Sequence, residues 1–257
     1  MRALPKRVNE QTRKTIRGGC YPHNVNLQLR RPAMRPVKVV VALTTALMAA
    51  TALADELPTN TLPADPLVRQ WWQRFLAIPN SVATDLGETP EACGLGQFGN
   101  TWFLSVTGTG EEPITRECTI PQGRKLFVPL ITFGCTPFPG ETLPQNVQFC
   151  REGVDAYDKL TLTIDGKNRS ELIERRAQSR SFSAWFPEDN IFDTPGQFDV
   201  PAGVYVMVAE GQFALVEGLR AGEHVIHFLA STTDASFPAY DVTFNFRIVA
   251  ATSITPR

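Results

Sequence analysis

Near its C-terminal end the chain reads Asp241-Val242-Thr243-Phe244-Asn245-Phe246-Arg247-Ile248-Val249, with an apolar residue at every second position and a polar one between. Only an extended backbone sends alternate side chains to opposite faces, so this stretch must be a strand with one side on a core and one in water. The same signature recurs upstream, where Phe182, Ala184 and Phe186 alternate with Ser181, Ser183 and Trp185. Runs rich in Val, Ile, Thr and aromatics at 101–107, 125–132, 160–164, 204–210, 212–216 and 223–229 are separated by Gly, Pro and Asp, and Asp165-Gly166 marks a tight turn. About eight short strands at regular spacing predict a mainly β fold, an immunoglobulin-like or jelly-roll-type β-sandwich.

One helix accompanies them. Asp65-Pro66 supplies an N-cap followed by a proline at the first helical position. Leu67, Trp71, Phe75 and Ile78 then recur at helical spacing, with Val68, Trp72 and Leu76 beside them, until Pro79 stops the run. The spacing predicts one amphipathic helix packed on the sheet. With no internal repeat, residues 65–250 read as a single helix-plus-sandwich domain, preceded by a Pro- and Thr-rich lead-in at 55–64 and followed by a tail at 251–257.

The N-terminal fifth is an address. Met34-Arg35-Pro36-Val37-Lys38 is a short basic region, residues 39–50 are largely apolar, and Ala52-Leu53-Ala54 gives the small-x-small pattern for cleavage, so 34–54 reads as a signal peptide. The apolar run falls short of the roughly 20 residues a spanning helix needs. Residues 1–33 are polar and basic and precede a complete signal, so they read as a mis-assigned start or a disordered leader. The expected product is a periplasmic or secreted bacterial protein with no stable membrane anchor after cleavage.

Downstream of Ala54 four cysteines remain: Cys93, Cys118, Cys135 and Cys150. An even count in an oxidising compartment predicts two disulfides, with three connectivities open. The sequential pairing, Cys93–Cys118 and Cys135–Cys150, is favoured because the second would close a Pro- and Gly-rich excursion around Thr136-Pro137-Phe138-Pro139-Gly140. Ten of the 25 basic residues and one of the 26 acids lie before Asp55, leaving the rest near a net charge of −10. A surface that acidic repels phosphate backbones, and nucleic-acid binding is not expected.

Residues that could carry chemistry have plainer readings beside them. Gly94-Leu95-Gly96-Gln97-Phe98-Gly99 matches G-x-G-x-x-G, but it follows a cysteine loop and runs into a strand where a nucleotide site needs a helix, so it reads as a bend and no cofactor is expected. His224 and His227 stand three apart in a strand and point to opposite faces, which argues against a shared metal. The acids at 188–199, among them Asp189 and Asp193, lack calcium-loop spacing and read first as a solvated loop, with ligand contact as the sharper alternative. Trp72, about 100° around the helix from Trp71, and Trp185 on the polar side of its strand are the candidate stacking aromatics. Arg175-Arg176 and Arg180 read as a surface charge pattern. No nucleophile elbow, zinc-protease helix or phosphate loop occurs, so no catalytic residue is assigned.

Several short stretches together resemble a group of exported bacterial proteins of unassigned function. They are Trp71-Trp72-x-x-Phe75, Cys93-x-x-Gly96-Gln97, Trp102-Phe103-Leu104, Cys118-Thr119-Ile120-Pro121-x-Gly123 and Leu219-x-x-Gly222-Glu223-His224-x-Ile226-x-Phe228. The resemblance spans about 70–250 and brings no activity with it. The functional expectation is therefore a non-catalytic module that binds an extracytoplasmic protein or a glycan. A hydrolase of envelope or extracellular polymers is one alternative, and a structural or stress-protective envelope protein another.

Overall fold

The alternating C-terminal segment forms a strand in which Val242, Phe244, Phe246 and Ile248 are buried while Asp241, Asn245 and Arg247 are exposed. The computed structural model describes residues 20–22, 65–83, 89–90, 92–105, 113–137, 141–191, 200–234 and 237–250. The elements are, in order, β1 (Cys20–Pro22), α1 (Pro66–Leu76), a single-turn α2 (Asn80–Ala83), β2 (Thr101–Phe103), β3 (Ile114–Pro121), β4 (Lys125–Cys135), α3 (Leu143–Asp155), β5 (Tyr157–Ile164), β6 (Lys167–Asn168), β7 (Ile173–Gln178), β8 (Phe182–Phe186), β9 (Gly203–Val216), β10 (Gly222–Thr232) and β11 (Tyr240–Val249).

Two mixed sheets result. The first is built on β4 and β9, with β7 and β8 sharing one edge of β9 and β1 and β2 sharing the far edge of β4. The second runs β3-β11-β10-β5-β6, with β3 joining β11 in parallel. Their facing sides form one buried cluster, which α3 joins through Cys150 and Val154. On its outer side the first sheet meets α1, where Trp71, Trp72 and Phe75 pack against Phe127, Phe213 and the inner residues of β8 in a second cluster. The fold is mainly β, as expected, with more strands than the eight anticipated.

A bulge sets the register of the central strand. Leu126, Val128 and Leu130 face the second sheet; the register then shifts between Pro129 and Ile131, so Ile131, Phe133 and Cys135 face the same way. Pro129 has no N–H to give to a ladder, and a bulge is where a central strand tolerates it. The shift turns Thr132 and Gly134 toward α1, where a Cβ on Gly134 would stand 2.9 Å from the Trp72 indole.

Four elements depart from expectation. Segments 204–210 and 212–216 are one strand, because Gly211 is no break; a side chain there would meet the Ile131 carbonyl at 2.5 Å and the Phe213 ring at 2.6 Å. β3 and β7, not among the expected strands, carry Arg116-Glu117 and Glu174-Arg175-Arg176, and both are strands pairing on one side only. The segment expected as a loose excursion holds a second full helix, α3, announced by Thr142-Leu143-Pro144-Gln145: the Gln145 side chain accepts from the Thr142 N–H at 2.8 Å, half of a capping box.

Candidate functional site

The cysteines pair sequentially. Cys93 joins Cys118, tying the turn at 92–94 to β3, and Cys135 joins Cys150, tying the end of β4 to α3. Trp102 from β2 lies over the first bridge with its indole Nε1 3.4 Å and 3.3 Å from the two sulfurs. The glycine motif makes the bend expected of it, with Gly96 and Gly99 at φ +63° and +62°. Gln97 stitches that bend to β2, accepting from the Phe103 N–H and donating to the Phe103 and Cys93 carbonyls. Arg74, buried on α1, donates to the Leu95 carbonyl and to Ser105 Oγ, and burial lowers its pKa to about 10.

The candidate binding residues do not form one site. Trp72 is wholly buried, its Nε1 donating to Thr132 Oγ1 at 2.9 Å, so its reading as a stacking aromatic is corrected: this side of α1 is core as well. Asp189 is exposed, but its carboxylate accepts from the Ser81 N–H at 2.9 Å and its carbonyl from Asn80 at 2.6 Å. Hydrogen bonds from Ser81 hold the acid below the usual carboxylate range and make it a cap for α2. Asp193 lies outside the described residues, as does the leader apart from Cys20–Pro22. His224 and His227 point to opposite faces; His224 stacks on Phe246 and reaches Asp165, while His227 reaches Asp241. Among the described residues no group of three or more His, Cys, Asp and Glu is placed to hold a metal.

Trp185 is the candidate that stands in water, 54% exposed. It pairs directly with Val204 across the β8–β9 ladder, and Ser183 pairs with Val206, so these four side chains share a face. Val204 is 67% and Val206 51% exposed, whereas Val208, two residues further along the same stripe, is 4% exposed beside α3. The stripe is thus the inner face of the first sheet running out from under its cover. The opposite face of the ribbon, with Phe182, Ala184, Phe186 and Met207, is buried against α1. The sequence could not single out Val204 and Val206, because both sides of 203–208 are apolar and alternation alone does not say which is covered.

One polar group inside the fold also escaped the sequence reading. Glu210, 1% exposed on β9, is bonded to Arg176 of β7, which also pairs with Asp155 of α3 and donates to the Arg151 carbonyl at 3.1 Å. Arg151 Nε lies 4.0 Å from Glu210 Oε2, an oxygen without a hydrogen bond. Burial raises the Glu210 pKa, and the two guanidiniums offset this only in part. Arg176 adopts φ +139° within the β7 bulge to make these contacts, so its reading as surface charge is corrected. A carboxylate so enclosed and so clamped is unreachable for a polymer substrate and serves to hold α3 across β9.

A half-open cavity of about 340 Å³ lies at one end of the sandwich, floored by Ile164, Leu172, Leu215, Val216 and Leu219. Its charged residues are both engaged, Arg169 with Glu171 and Glu217 with Lys125, each at 2.6 Å. No protein-family model and no curated protein matches the sequence.

Proposed function

We propose that the chain is an exported, non-catalytic β-sandwich module that docks a partner protein on the face displaying Trp185, Val204 and Val206. The observation that carries this reading is the continuity of an exposed apolar stripe with the buried stripe of the same strand. Solvent-facing sheet residues are normally polar, as on β11, whereas here a tryptophan and two valines stand together on one exposed face. Tryptophan is also among the residues most enriched at protein–protein hot spots. A sugar-binding face would need aromatics in a row, and this one has a single indole with valines around it. Export is supported by the leader at 34–54 and by two disulfides, which persist in oxidising compartments.

The test is site-specific photo-crosslinking in the producing cells. A photoreactive residue in place of Val206 should give a discrete protein adduct that Trp185→Ser abolishes. The same residue in place of Val225, an exposed valine on the outer face of the second sheet, should give none. Absence of an adduct at 206, or equal adducts at both positions, would overturn the reading; Trp185-dependent retention on purified cell-wall glycan would replace it with a glycan-binding one.

A further inference from the structure

β4 is paired with β9 along one side, and along the other it carries two short strands: β2 in parallel at 125–127 and β1 antiparallel at 133–135. In the second pairing Cys20 stands opposite Cys135, Tyr21 opposite Gly134 and Pro22 opposite Phe133. β1 comes from the leader, far ahead of α1 in the chain. On the export reading proposed above, by a start at Met34 or by cleavage after Ala54, the mature chain would lack the strand that completes this edge.

We propose that the Phe133–Cys135 edge is an acceptor for an extended polypeptide strand supplied by a partner, a place that Cys20–Pro22 takes in the unprocessed chain. Exposed edges are ordinarily blunted by lysines, prolines or bulges, and 133–135 has none of these; Pro129 and its bulge lie further back along β4. Phe133 and Cys135 are buried toward the sandwich, which leaves main-chain groups as the edge's offering, the chemistry of strand addition. The Cys135–Cys150 bridge anchors the end of that edge to α3, so the acceptor is held in place before a strand arrives. The vacancy of the edge rests on the export reading proposed above, whereas its ability to pair does not.

Hydrogen exchange on the full chain separates the two. The amides of 133–135 that face away from β9 should be protected in the full-length protein. Tyr21→Pro, which removes an N–H and fixes φ in a three-residue strand, should speed their exchange about tenfold or more. Adding a synthetic peptide of residues 17–25 carrying Cys20→Ser should restore protection saturably in that variant. Unchanged exchange in Tyr21→Pro, or no protection by the peptide, would overturn the proposal. N-terminal sequencing of the exported protein tests the other premise: a start at Met1 would leave a working acceptor already filled by its own leader and would sink only the vacancy.

Discussion

The buried carboxylate of Glu210 gives stability a particular dependence on pH. Its pKa is raised in the folded chain, so the fold holds this proton more tightly than the unfolded chain does. Its contribution is therefore most favourable below the ordinary glutamate value and is lost as pH rises through the folded one. Glu210→Gln, a neutral group of the same shape, should flatten that slope and leave stability at neutral pH equal or higher, because Arg176 keeps Asp155 and the Arg151 carbonyl. Arg176→Met should instead cost about 3–5 kcal/mol in urea unfolding, since it abandons a buried charge. His224 makes a second case. Its two ring nitrogens face two acceptors, Asp165 Oδ2 and the Arg220 carbonyl, each at 2.9 Å, and only the imidazolium can donate to both. Burial lowers the His224 pKa, but these bonds outweigh it and hold the group above the usual histidine value. The stabilisation is complete below the unfolded imidazole pKa and disappears as pH rises through the folded one. In an NMR titration Asp165→Asn should bring His224 back toward the free value, the asparagine being tolerated at φ +51°; an unmoved titration would assign the shift elsewhere.

Among the elements, α3 depends most on contacts distant in sequence. Its bridge to β4 and its ion pairs to β7 and β9 all come from outside its own apolar stripe. Replacing Cys135 and Cys150 together by serine should cost about 3 kcal/mol for a loop of this length, and the loss should appear first as faster exchange within α3. A protein in which α3 keeps its protection after that change would show that the ion pairs suffice. The same helix shows how much could be read in advance. β8, β10, β11 and α1 were legible because one face of each is apolar at a fixed period. α3 was hidden by prolines at 137, 139 and 144 that suggest a loop, although Thr142 and Gln145 carried the signal. β3 and β7 were hidden because a strand at a sheet edge needs few apolar residues, and Arg176 of β7 answers to Glu210, a partner more than 30 positions away. Of the site, Trp185 was legible from the polar phase of its strand, while Trp72 was misplaced because helical angle says nothing of how far a sheet wraps around a helix. The pairing of Val204 with Trp185 is a matter of register, which the sequence does not print.

At the scale of the whole molecule, the two sheets differ in extent. The second covers the first only in part, and α3 closes the gap as far as Val208. Beyond it the β8–β9 ribbon continues with one side buried on α1 and the other exposed at Trp185, Val204 and Val206. That overhang is the basis for the docking module proposed above. Urea unfolding of a variant carrying Trp185→Ser, Val204→Thr and Val206→Thr tests it most directly, read beside the crosslink from a neighbouring exposed position such as Ser183. A face kept apolar for a partner predicts stability within about 0.5 kcal/mol of the parent, as for ordinary surface substitutions, together with loss of the adduct. A loss of several kcal/mol, on the scale expected for emptying a core position, would mean that the chain itself covers this face and that no partner is needed to explain it.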